Sequence, residues 1–170
     1  MKYRMKKIIY PAFFGLSLVL FAFYGLNANA YDRKEYGSWK DFNNDGFNTR
    51  HELLYNASLI PPTVIQNPNG KNYVVFGKWI TEYTQREITN PRHIHIDHRL
   101  AVKELDSACG YKLTKQQKQA FYNDEDNLVI SYSKENIRKG ARDETEYLPP
   151  RGDVLKYQIK RKMIINKYCN

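Results

Sequence analysis

His93-Ile94-His95-Ile96-Asp97-His98 holds three of the chain's four histidines within six residues. Polar and apolar side chains alternate along it, the period of a β-strand, whose successive residues point to opposite faces. On that reading His93, His95 and Asp97 share one face, and Ile94, Ile96 and His98 share the other. Such a strand delivers metal ligands, and two metal chemistries compete for it.

Read as His-x-His-x-Asp-His, the string resembles the zinc-binding signature of the metallo-β-lactamase superfamily. A catalytic zinc needs about three protein ligands and an open fourth position. That superfamily completes its site with histidines well downstream, whereas none follows His98 here and the fourth, His51, lies upstream. Strand alternation also turns His98 away from His93 and His95. A zinc hydrolase is therefore the remote alternative.

Read from Asp97-His98, with Asn127 and Asn136 following, the chain resembles the HNH nucleases. Ala120-Phe121-Tyr122-Asn123-Asp124-Glu125-Asp126-Asn127-Leu128 is similar to the segment that ends a helix and enters the second strand of that family's finger. Asn136-Ile137-Arg138-Lys139-Gly140 matches the Asn-x-x-Lys-Gly that opens its last helix, and Leu148-Pro149-Pro150 recurs beyond it. Upstream, Tyr31-Asp32-Arg33, Trp39, Asp45-Gly46 and Thr49-Arg50-His51-Glu52-Leu53-Leu54 resemble a secreted branch related to the carboxy-terminal nuclease domain of GmrSD-type restriction enzymes. The likeness spans nearly all of the chain after Ala30.

That resemblance implies an α+β fold, a small single domain over 31–170 built around a ββα-metal finger at about 93–140 with flanking helices. It implies an endonuclease in which Asp97 and Asn136 hold one divalent cation and His98 is the general base. One carboxylate and one amide oxygen suit Mg²⁺ or Mn²⁺ better than zinc. Asn127 would position the loop and imidazole of His98 without touching the metal. Arg50, Arg138 and Lys139 are the candidate nucleic-acid contacts, the last two near a helix start that already favours phosphate. The implied products carry 5′-phosphate and 3′-hydroxyl ends. DNA is the expected substrate, with RNA open, little sequence preference and a monomeric enzyme.

The chain departs from that branch at two positions, with His95 where an acidic residue is usual and Ala101 where a proline is usual. His95 reads either as an accessory phosphate contact or as a polar residue at a strand edge. Without the proline, φ is not fixed in the turn after the base.

Composition fits an exported domain that binds a polyanion. Residues 1–30 carry Lys2, Arg4, Lys6 and Lys7 with no acid, an apolar run from Ile8 to Leu26, and Ala28-Asn29-Ala30, the form of a secretory signal. A secreted or periplasmic location is expected, with an inner-membrane anchor as the alternative because the apolar run is long. Removing that segment leaves 23 Lys+Arg against 18 Asp+Glu, a net charge of +5. Cys109 and Cys169 are the only cysteines, and export would let them form a disulfide. Asn56-Ala57-Ser58 is a sequon that matters only in a glycosylating host.

A separate signal runs from Asp41 to Glu52. Asp41, Asn43, Asp45 and Glu52 occupy the side-chain ligand positions of an EF-hand loop, Phe47 the carbonyl position, and Gly46 the sharp turn. Asn48 stands where a branched aliphatic is expected, so the competing reading is a polar turn that caps the next helix. Calcium in this loop supplies the rival function, a non-catalytic secreted calcium-binding module with a degenerate nuclease finger.

The remaining pattern predicts a helix near Thr49 to Asn56 and strands near Asn72 to Phe76 and Lys78 to Thr81. A helix follows near Arg99 to Asp106, then one capped by Thr114-Lys115-Gln116-Gln117 and running to about Tyr122. A strand over Asn127 to Ile130 and a short helix capped by Ser133 and stopped by Gly140 complete the finger. Leu155, Ile159, Met163 and Ile164 recur at helical spacing among Lys156, Lys160, Arg161, Lys162 and Lys167, which predicts an amphipathic helix packed on the domain.

Overall fold

The computed structural model describes residues 31–170. The expected signal segment lies outside the described residues. Among those residues no helix is long and apolar enough to cross a membrane.

A 3₁₀ turn at Arg33–Tyr36 leads to a polar loop and then α1, Thr49–Asn56, whose N-cap Asn48 accepts a hydrogen bond from the amide of His51. Strands β1 (Thr63–Gln66) and β2 (Asn72–Phe76) form an antiparallel hairpin. A second small hairpin joins β3 (Trp79–Ile80) to β4 (Glu87–Ile88). A 3₁₀ turn at Pro91–His93 opens β5, Ile94–His98, which pairs antiparallel with β6, Leu128–Tyr132. Between these two strands lie α2 (Val102–Cys109) and α3 (Lys115–Tyr122). Immediately after β6 comes α4, Ser133–Lys139, and the chain closes with α5, Val154–Cys169. The result is a mixed α and β domain with three separate two-stranded sheets.

Burial follows the alternation of β5. Ile94 and Ile96 join Leu54, Val74, Trp79, Ile88 and Leu128 in one apolar cluster. Val129, the β6 partner of Asp97, packs on the opposite side with Tyr83, Tyr147 and Tyr157. A third cluster, centred on Tyr36, Leu105, Phe121 and Ile164, ties the amino-terminal segment to α2, α3 and α5. Cys109 and Cys169 are joined by a disulfide across 60 residues, which pins the end of α2 to the end of α5. By chain entropy a loop of that size adds about 4 kcal/mol.

The observed elements differ from the expected ones in four places. The strand begins at Ile94, so His93 sits exposed in the preceding 3₁₀ turn and shares no face with His95. The helix after β5 starts three residues later than expected, at Val102, because Arg99 and Leu100 spend their amides on Asn127. Ser133 is the first helical residue of α4 and not its cap; Tyr132 holds the cap position without a side-chain bond. In α5 the expected apolar stripe largely faces outward, with Leu155 67%, Ile159 49% and Met163 52% exposed, while Tyr157, Arg161 and Ile164 are buried. Arg161 explains the rotation: its Nη1 reaches the Arg99 carbonyl at 2.7 Å and its guanidinium pairs with Glu104, so a charged anchor sets the docking face.

Candidate functional site

The β5 and β6 strands run in register from Ile94 opposite Tyr132 to His98 opposite Leu128. Regular pairing through His98 sends Asp97 and His98 to opposite faces of the strand, and the two meet different surroundings.

Asp97 faces α4 and the tyrosine cluster. Its Oδ2 accepts from the Tyr83 hydroxyl at 2.9 Å and lies 3.1 Å from Nζ of Lys139. Lys139 is fully buried and also donates to the carbonyl of His98 at 2.9 Å. Burial holds the Asp97 carboxyl above its ordinary range, while Lys139, Tyr83 and the His98 amide oppose that shift. On the same face the Asn136 amide donates to Nδ1 of His95 at 3.2 Å. One turn of α4 separates Asn136 from Lys139, which is why both reach the strand.

His98 is only 3% exposed. Its imidazole lies between the rings of Trp39 (5.7 Å, 7° between planes) and Phe121 (5.8 Å, 17°), with Tyr122 tilted against it at 4.9 Å. Nε2 donates to the Tyr122 carbonyl at 2.9 Å. A carbonyl only accepts, so the proton sits on Nε2 and the lone pair on Nδ1. Burial lowers this imidazole to about 3; the bond to Tyr122 opposes that shift, and the charges of Arg33 and Lys139 add to it. The ring is therefore neutral at pH 7. Arg33 is exposed, and its guanidinium stands over the Tyr122 ring with Nη2 at 3.4 Å from the hydroxyl.

The turn after β5 is fixed by Asn127, which is completely buried. Its Oδ1 accepts from the Leu100 amide at 2.8 Å and its Nδ2 donates to the Leu100 carbonyl at 3.1 Å, while its own carbonyl accepts from Arg99. These bonds hold the backbone of the turn in place. Its side chain makes no hydrogen bond to the imidazole of His98 or to Asp97. Arg99 adds a two-pronged ion pair to Glu82, with contacts of 3.0 and 2.6 Å.

Two expected nucleic-acid contacts have other partners. Lys139 is sealed as the counter-ion of Asp97, so it is not a surface phosphate ligand. Arg50 directs Nη2 to the carbonyls of Pro91 and Ile94, at 3.2 and 3.0 Å, and braces the start of β5. Arg138 remains largely exposed and pairs with Glu135 at 2.6 Å. The zinc constellation does not assemble, because His93 lies outside the strand and His98 faces away from His95. Trp39, Tyr83, Tyr122 and Arg33 also shape the two faces. Trp39, Tyr122 and Arg33 stand in segments that carry the resemblance, whereas nothing in the sequence marks Tyr83.

Among the described residues no three His, Cys, Asp or Glu side chains gather closely enough to hold an ion by themselves. His95, Asp97 and Asn136 offer one imidazole, one carboxylate and one amide oxygen along one face. Tyr83 and Lys139 both engage Oδ2 of Asp97, so a cation would have to share the carboxylate with them. That sparse donor set fits an ion that keeps most of its waters, as Mg²⁺ does, and not one that needs a protein cage.

In the loop ahead of α1, Asp41 Oδ2 accepts from the Gly46 amide at 2.9 Å and Asp45 Oδ1 from the Phe47 amide at 2.8 Å. Glu52 on α1 is held above the usual carboxylate range, first by burial and then by the charges of Asp45, Glu125 and Asp41.

Comparison with family models, with curated proteins and with solved structures finds no match in any of the three.

Proposed function

We propose that this protein is an exported, metal-dependent endonuclease of the HNH type, acting on DNA with little sequence preference. The observation that carries the reading is the pairing of Asp97 with His98 at the end of β5, where the two residues have opposite protonation logic. Asp97 is paired with Lys139, and His98 keeps an unprotonated Nδ1 because Tyr122 holds the other nitrogen. A neutral imidazole with a fixed tautomer can accept a proton, and opening of its pocket on substrate binding has to bring it back up from about 3 toward neutral pH, where a general base works best.

In this reading Nδ1 of His98 takes a proton from the attacking water, and the Tyr122 carbonyl steadies the imidazolium that forms. Asp97 and Asn136, with His95 beside them, would hold Mg²⁺ or Mn²⁺. When bound, that ion supplies Lewis-acid stabilisation of charge on the scissile phosphate. Asn127 keeps the β5 turn rigid, so that the base does not drift. Arg33 and Arg138 are the exposed cations flanking the two faces and are assigned to neighbouring phosphates. Because Asp97 and His98 leave opposite faces, the scissile phosphate has to meet both at the strand end, and the narrow access to His98 has to widen as substrate binds. Catalytic contacts commonly tighten only in the substrate complex.

One observation favours a second reading. Lys139 already neutralises Asp97, so the finger is held together without an ion, as a non-catalytic binding module would be. End analysis of a labelled DNA duplex separates the two: metal-dependent products with 5′-phosphate and 3′-hydroxyl ends support the nuclease. Intact DNA, or 5′-hydroxyl ends, contradicts it.

A further inference from the structure

The segment Asp41 to Glu52 plays no part in the chemistry above, yet it seals one carboxylate oxygen, Oδ1 of Asp41, without a partner. Asp41 spends Oδ2 on the Gly46 amide, and its Oδ1 is sealed from solvent with no hydrogen-bond partner among the described residues. Buried polar atoms in folded proteins are almost always paired, so a sealed carboxylate oxygen asks for a cation or a donor. Asp45 also commits one oxygen to the loop, while its Oδ2 accepts at 3.0 Å from Nδ2 of Asn43. The Asn43 NH2 thus lies where positive charge is wanted, while its Oδ1 accepts from the Asp45 amide at 3.2 Å. An ion that displaces the NH2 from Asp45 Oδ2 can draw on that same Oδ1, which keeps a second lone pair.

The backbone leaves room for the turn this requires. Gly46 has φ +91°, and a Cβ there would meet the Gly70 carbonyl oxygen at 2.6 Å, so only glycine fits. Across the loop, Glu52 lies close enough to Asp41 and Asp45 to feel both charges.

We infer that residues 41–52 form a calcium site in which Asp41, Asn43, Asp45, the Phe47 carbonyl and Glu52 supply the oxygens. Together with water they reach the coordination of about 6–8 that calcium takes. Glu52 has still to close on the ion, because no three acidic side chains yet surround one point among the described residues. Calcium suits the site better than Mg²⁺, whose smaller octahedral shell does not accommodate a long bidentate carboxylate in a flexible loop.

The loop is tied to the His98 pocket from both of its ends. Trp39, just ahead of Asp41, stacks on His98. The Lys40 amide and the Thr49 hydroxyl both donate to Oδ1 of Asn123, at 2.9 and 2.7 Å. Asn123 follows Tyr122, whose carbonyl holds Nε2 of His98. A calcium ion here would brace the wall of that pocket without taking part in the reaction, and its binding does not depend on the nuclease reading.

The test is calorimetric titration and thermal melting of the full chain, stripped with EDTA, against CaCl₂ and separately MgCl₂. The expected dissociation constant is about 0.1–1 mM, the range of extracellular calcium modules. About 10 mM calcium should then raise the melting midpoint by roughly 5 °C. Asp41→Asn should remove the response. Asn43→Ala, at an exposed position bonded only within the loop, should weaken binding about tenfold or more and decides the matter if Asp41→Asn does not fold. No binding heat and an unchanged midpoint at about 10 mM calcium, an equal response to magnesium, or full binding by Asn43→Ala would each overturn the assignment.

Discussion

Nε2 of His98 lies 2.9 Å from the carbonyl oxygen of Tyr122, a bond closed by two residues 24 positions apart in sequence. The contact sets the tautomer of the imidazole, leaves Nδ1 as its basic atom, and binds the end of α3 to the end of β5. The protonation state of His98 is consequently a property of the fold, and it has consequences for stability as well as for chemistry.

The first consequence is acid sensitivity. Burial lowers His98 to about 3 in the folded protein, whereas the unfolded chain protonates this residue near its ordinary value. The resulting stability is fully present above about pH 6.5 and is lost as the pH falls toward 3, by at most about 1.4 kcal/mol per pH unit. His51, lowered to about 4 by burial and then by Arg50, acts in the same direction. Urea melts should show the midpoint falling between about pH 6.5 and 5, with a smaller fall in His98→Gln. A midpoint that is flat over that window would contradict the assignment of a neutral, sealed imidazole.

A second expectation concerns Lys139. Its ammonium is the buried partner of Asp97, so Lys139→Met leaves a buried carboxylate with only neutral donors, the Tyr83 hydroxyl and the His98 amide, for support. Breaking one side of a buried pair costs about 3–5 kcal/mol, and the remaining hydroxyl argues for the lower end. Denaturant unfolding measures it directly. A loss below about 1 kcal/mol would mean that Lys139 is a surface cation after all.

Asn127 makes two hydrogen bonds to Leu100 and neither to the imidazole. Asn127→Ala should cost about 2–4 kcal/mol through two unpaired backbone groups. If it positions the base, the variant should also lower kcat more than it raises KM, at a temperature where it remains folded. Unchanged kcat with lowered stability would reduce Asn127 to a structural residue.

Arg33 offers the opposite profile. It is exposed, adjacent to Tyr122 and felt by His98, so Arg33→Ala should leave the melting midpoint within a few degrees while raising KM for DNA several-fold. The salt dependence of cleavage should become shallower, because one phosphate contact is gone. A salt dependence identical to that of the parent would remove Arg33 from the interface.

Much of the domain could be read before any coordinates. The capping box Thr114 to Gln117 forms as expected, Gly140 ends α4 at φ +58°, β2 occupies Asn72–Phe76, and Cys109 pairs with Cys169. These are local signals, decided within a few residues or by the absence of another cysteine. Alternation along β5 also correctly put His98 on the face away from Asp97. Long-range electrostatics could not be read: Arg161 rotates α5 against its apolar spacing, and Lys139 looks like a surface cation until Asp97 closes on it across 42 positions. Nor does periodicity reveal the aromatic walls of His98, because Trp39 and Phe121 reach it from separate elements.

In the proposed function Asp97 and His98 form a metal-dependent hydrolytic site. Nicking of supercoiled plasmid by the protein tests it most directly, with Mg²⁺, Mn²⁺ or EDTA and with His98→Ala and Asp97→Ala alongside. Nicking that requires the metal and falls by about 10²–10⁴ in His98→Ala is the expected result. Equal nicking by the parent and both variants, or none by the parent with either metal, would contradict it.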